Sequence, residues 1–166
     1  MAFNHNELIL HCGGVKVDRE DLDMHGLPKA ATATHFPVLH GTVVKTLLQQ
    51  LQYQDDMEIV REEYGLHKDG AQMFGLLTML PRVATRWQAW NPANQETRIA
   101  RARDQKDYAI CIGIRNSHDR SFPAAIALGS RVFVCDNLSL TGEIKIARRH
   151  TRFIHRDLPV VVSHRS

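Results

Sequence analysis

Apolar residues recur along this chain with a period that changes from segment to segment, and each change predicts a new element. In residues 38–53, Val43, Val44, Leu47, Leu48 and Leu51 repeat at three-to-four spacing while Lys45, Gln49, Gln50 and Gln52 occupy the other face. That is the pattern of an amphipathic helix. Its start is expected near Pro37 or Thr42, because proline suits a first turn where its missing N–H is not needed. From residue 57 onward Met57, Ile59, Arg61 and Glu63 alternate with Glu58, Val60, Glu62 and Tyr64, and His67-Lys68-Asp69-Gly70 then supplies a turn. Residues 73–80 return as a more apolar run, so a β-hairpin opening an antiparallel sheet is predicted. Residues 108–114 are apolar on both faces, as a central strand requires. A polar tip follows at Arg115-Asn116-Ser117-His118-Asp119, then an apolar pattern through 124–129, a strand at 131–135 ending in Asp136-Asn137, and a short alternating piece at 143–146.

The beginning of the chain reads differently. Residues 7–12 form a short apolar run closed by Gly13-Gly14, a strand or extended arm with a turn, and residues 17–22 suit one helical turn capped by Asp18. Residues 26–37, with Pro28, Pro37 and a mixture of alanines and threonines, form a segment expected to be irregular and draped on the surface, a leader more than a core element. The expected organisation is an extended N-terminal arm, 1–36, and an α+β core domain, 37–166. In that domain an antiparallel sheet of about four to six strands packs against the main amphipathic helix. A basic, tryptophan-containing loop at 82–107 interrupts it, and a long aperiodic stretch inside a domain is usually functional or disordered.

Composition narrows the class. A chain of 166 residues with 43% hydrophobic and 23% charged residues suits one globular domain. No run approaches the roughly 20 apolar residues of a membrane span, and no basic region followed by an apolar one opens the chain, so a soluble cytoplasmic protein with no membrane partner is expected. Cys12, Cys111 and Cys135 lack the close paired spacing of a zinc knuckle or redox motif and are expected as reduced thiols. The formal charge is only +3, but it is uneven: Arg82, Arg86, Arg98, Arg101, Arg103 and Lys106 stand against Glu96 and Asp104, and Lys145, Arg148, Arg149, Arg152 and Arg156 follow with no acid between them. Clustering of this kind matters more for polyanion binding than net charge.

The polar tip has two readings. In one it is a tight turn whose Asn, Ser and Asp side chains bond their own backbone. In the other it faces a ligand, Arg115 offering a bidentate fork for phosphate while Asn116 and Ser117 donate to phosphates or read bases. Arg86-Trp87-Gln88-Ala89-Trp90 is the stronger binding signal, since aromatic faces beside arginines are what a single strand needs; the competing reading pins the tryptophans to the core. A metal centre would ask His118, Asp119, Asp136, His150 and His155 to converge, at spacings matching no recognised ligand pattern. A thiol nucleophile would pair Cys135 with His118 or His150, although Cys111 and Cys135 sit in apolar runs where cysteine behaves as a small hydrophobe. Glycine-rich phosphate loops, Gly-x-Ser-x-Gly elbows and His-Glu-x-x-His motifs are missing from the sequence, and no cofactor is expected.

Asp69-Gly70 with Met73-Phe74-Gly75, then residues 113–119, 129–138 and Arg149-His150-Thr151, resemble a phage- and plasmid-associated family of domains of unknown function over roughly residues 35–160. The resemblance implies an α+β fold, residence on bacterial mobile elements and, because members usually continue further, a short or truncated member. It carries over no catalytic residue. The reading that results is a binding protein more than an enzyme: a nucleic-acid binder, single-stranded for preference, acting in replication, recombination or defence evasion. Arg86, Arg101, Arg103, Arg148 and Arg149 would capture phosphates, Trp87 and Trp90 would stack bases, and Arg115, Asn116 and His118 would line one end of the groove. Two alternatives remain open: a protein that sequesters a host partner or a nucleotide, and a metal-dependent nuclease or hydrolase using His118, Asp119 and Asp136. Self-assembly into a homo-oligomer is compatible with each.

Overall fold

The computed structural model describes residues 8–24, 26–27, 32–52, 56–82, 109–130, 132–152, 154 and 156. The described chain is a compact α+β fold, as its periodicity predicts. Strands β1 (Leu8–Ile9) and β2 (Val15–Val17) precede a 3₁₀ turn at Arg19–Asp23, helix α1 (His40–Gln52) and the hairpin β3 (Met57–His67) and β4 (Gln72–Pro81). Then come β5 (Ile110–Ser117), β6 (Ala124–Gly129), β7 (Phe133–Cys135), β8 (Leu140–Thr141) and β9 (Ile144–Arg148). A six-stranded antiparallel sheet runs β2-β3-β4-β5-β6-β9, and a three-stranded sheet runs β1-β7-β8 with β1 parallel to β7. No described helix is long and apolar enough to cross a membrane.

The large sheet is the middle of three layers, which explains why β4 and β5 are apolar on both faces. On β4, Met73, Leu77 and Met79 join the core under α1, whereas Phe74 and Leu76 join the core under the small sheet. On β5, Ile112 and Ile114 take the helix side and Cys111 the other. Strand geometry alternates successive side chains between faces, so two covered faces need a continuous apolar run. Gly113 sets the approach of the small sheet: a Cβ there would lie 2.6 Å from Val134 and 2.7 Å from Val132.

Helix α1 buries Val43, Val44 and Leu47 on the sheet, with Leu48 and Leu51 partly buried beside them. It begins at His40, so Pro37 lies before the helix and not in its first turn. Asp23 holds the start, its Oδ1 accepting the Gly41 N–H at 2.8 Å, which satisfies an orphan donor where the helix dipole favours a negative charge. The hairpin turn holds Lys68, Asp69 and Gly70 at φ of 50°, 52° and 81°. Residues 8–23, expected as part of an arm, instead supply a strand to each sheet and the core residue Leu22. His35, in the segment expected to be draped outside, is buried, as is Val38 directly after that segment.

Candidate functional site

The polar tip is divided by the strand that carries it. Residues 115–117 belong to β5, so Arg115 and Asn116 face opposite layers. Arg115 donates from Nη1 to the Leu138 carbonyl at 2.7 Å, and its guanidinium lies 5.0 Å above the Phe122 ring. Its Nε is buried without a hydrogen-bond partner among the described residues, and burial lowers its pKa.

Asn116 is fully buried on the helix side, where it is the hub of a histidine cluster. Its amide donates to the Val38 carbonyl and to His40 Nδ1, each at 2.9 Å, and its Oδ1 accepts from His150 Nε2 at 2.7 Å. His40 Nε2 donates to the Gly70 carbonyl at 2.8 Å, His118 Nε2 to the Val38 carbonyl at 2.9 Å, and His35 Nε2 to the His118 carbonyl at 3.3 Å. These acceptors assign the Nε2–H tautomer to each ring. The His40 and His118 rings stack with centroids 3.9 Å apart. Burial pushes His118 below its ordinary value; it pushes His150 to about 4, reinforced by His35 and His118 nearby. His118 and His150 are therefore neutral near pH 7, and the cluster ties α1, β5 and the segment after β9 together.

Beyond His35 and His150 the cluster opens into a cleft of about 600 Å³. Phe122 and Pro123 form its apolar wall; Arg120, Arg149 and the hydroxyls of Ser121, Thr151, Thr32 and Thr34 surround it, with no carboxylate among its described lining residues. Arg120 holds φ at 66°, a left-handed conformation costing a non-glycine residue roughly 1–2 kcal/mol. Asp119 maintains that turn: its Oδ1 accepts the Ser121 N–H at 2.9 Å, and its Oδ2 accepts from Gln72 Nε2 at 2.8 Å. Ser117 Oγ also donates to the Phe122 carbonyl at 2.7 Å. The tip is thus a self-bonded turn that places a cation at its apex.

Of the residues singled out by sequence, Arg149 lines the cleft and Arg148, one residue earlier, is exposed at the end of edge strand β9. Asn116 and His118 lie beneath it as supports, and Arg115 lies on the other face. Arg86, Trp87, Trp90, Arg101, Arg103 and His155 lie outside the described residues. Asp136 is not joined to His118 and Asp119. Its carboxylate accepts backbone N–H groups from His11 at 3.0 Å, Cys12 at 2.8 Å and Gly14 at 2.9 Å. Burial alone would raise its pKa, but those donors outweigh burial and hold it below the usual carboxylate range. Cys135 does meet an imidazole, that of His11 at 3.2 Å, in place of His118 or His150. Sequence reading passed over Arg120, Ser121 and Thr151, although Arg120 directly follows the polar tip. It also passed over His11-Cys12, whose only local signal is the Gly13-Gly14 turn behind them. Comparison of the chain with protein-family models, with curated proteins and with solved structures found no match.

Proposed function

We propose that this chain binds nucleic acid, a single strand in preference to a duplex, with the cleft between the 118–123 turn and residues 149–151 as its docking point. The observation that carries the reading is the lining: Arg120 and Arg149 with four hydroxyl side chains and no carboxylate among the described residues. Guanidinium groups and hydroxyls are the common donors to phosphate oxygens. Among the described residues neither arginine is held in a salt bridge to an acid. A concave cleft favours an unpaired nucleotide, whose base can leave the stack, over a duplex that presents only its outer backbone. Arg148, exposed at the end of β9, adds a further cation one residue before Arg149. Work on a mobile element's replication, recombination or defence evasion is the setting suggested by the family resemblance.

The test is fluorescence anisotropy of a labelled single strand and its duplex, followed from about 50 to 200 mM salt. Binding should prefer the single strand and weaken steeply with salt. Substituting both Arg120→Ala and Arg149→Ala should remove two phosphate contacts and flatten the log–log salt slope by about 1.4. An unchanged slope would place the contact surface elsewhere. The bounded volume of the cleft supports a second reading, a small phosphorylated ligand; free nucleoside monophosphate competing as well as the oligonucleotide would favour it.

A further inference from the structure

On the far side of the large sheet, the loop after β1 folds over the end of β7 and brings His11, Cys12, Cys135 and Asp136 to one corner. We propose that this corner is a metal site, suited to zinc, with His11 Nδ1, Cys135 Sγ, Asp136 Oδ1 and Cys12 Sγ as its ligands. His11 Nδ1 lies 3.2 Å from Cys135 Sγ and 3.8 Å from Asp136 Oδ1, and Cys135 Sγ lies 3.7 Å from Asp136 Oδ1. Tetrahedral zinc with ordinary bond lengths separates nitrogen from sulfur and sulfur from oxygen by about 3.6 Å, and nitrogen from oxygen by about 3.4 Å. Three groups from two distant segments thus already sit at the edge lengths of one coordination tetrahedron. Cys12, exposed at the mouth, supplies the fourth corner; its sulfur and the His11 and Asp136 ligand atoms lie within 4.8 Å of one another.

The hydrogen-bond inventory points the same way. A carboxylate has about four lone-pair directions. The Cys12 and Gly14 N–H groups take both on Oδ2, and the His11 N–H takes one on Oδ1. The fourth direction, on Oδ1, is met by the Cys135 S–H at 3.7 Å, a weak contact whose proton a metal ion would displace. Gly14 permits this closeness, because a Cβ there would lie 2.9 Å from Asp136 Oδ2. Four protein ligands close the shell, so the ion would be structural. It would clip the β1–β2 loop to the end of β7 and so join the two sheets.

The test uses the reduced full chain. Elemental analysis after growth with zinc should show stoichiometric metal. Cobalt(II) added to the apo chain should give the absorption of tetrahedral thiolate coordination. Affinity, read by competition with a chromophoric chelator, should fall about 100-fold or more in His11→Ala and in Cys12→Ser. Both positions are exposed, so these variants keep the core intact, whereas Cys135→Ser would put a hydroxyl into it. The proposal is overturned if neither zinc nor cobalt binds the reduced chain, if both variants bind as the parent does, or if Cys12 and Cys135 are found joined as a disulfide under reducing conditions.

Discussion

The two polar corners of this molecule hold similar residues in opposite states of completion. Beneath α1, His35, His40, His118 and His150 gather around Asn116, and each ring donates its Nε2 proton to a carbonyl or amide oxygen. Under the small sheet, His11, Cys135 and Asp136 face one another across 3.2–3.8 Å, joined by contacts of the Cys135 thiol, a weak donor whose proton a metal ion would displace. Histidine density is greater in the first corner, yet it is the second that has room for an ion. What separates a structural cluster from a ligand site is how strong the donors on its lone pairs are, not how many imidazoles it contains.

The largest expected effect follows from breaking the first corner. Asn116→Ala strands the His150 Nε2–H and the His40 Nδ1 in a buried site. At about 1–3 kcal/mol for each unsatisfied group, a loss of about 3–5 kcal/mol is expected in urea unfolding; a loss below about 1 kcal/mol would show that the hub is dispensable. Asp136→Asn tests the other corner without metal. The amide turns an NH₂ toward N–H donors and should cost about 2–3 kcal/mol, read as a shift in the unfolding midpoint with an unchanged denaturant slope.

The third expectation concerns pH. His150 is held at about 4 in the folded chain, below the ordinary value near 6.5 of an unfolded one. The unfolded state therefore takes up the proton first, so this contribution to stability is complete above pH 6.5 and is lost as pH falls from about 6.5 to 4. The loss should reach about 1–3 kcal/mol. His150→Gln, which keeps a donor toward Asn116 and removes the titration, should flatten thermal stability across that window; an identical acid limb in the variant would move the titration to another group. Asp23→Ala removes the acceptor at the start of α1, next to His40, and should cost about 1 kcal/mol in urea unfolding.

Much of the architecture was legible in local pattern. Val43, Val44, Leu47, Leu48 and Leu51 mark the face that α1 buries, and the change to period two at residue 57 marks the hairpin that β3 and β4 form. The two-sided apolar run of residues 108–114 marked a central strand, which β5 is, while the second cover on that sheet emerged only with the fold. Reading the polar tip as one loop missed what strand alternation implies once β5 extends to Ser117: Arg115 and Asn116 cannot serve the same groove. The first 23 residues were harder, because β1 and β2 are too short to show a period.

What the sequence determined by itself is which side of each element is apolar, since a side chain's direction repeats every 2 or 3.6 residues and burial follows that direction. The tertiary structure decided which polar residues meet. Asp136 reaches His11, Cys12 and Gly14 across 125, 124 and 122 residues, and Asn116 reaches His40 across 76. Those meetings depend on strand register and on how closely the layers approach, the latter set in part by the missing side chain of Gly113. Both are properties of the packed whole, because a strand has no register until its partner is in place and a carboxylate has no donors until another segment brings them.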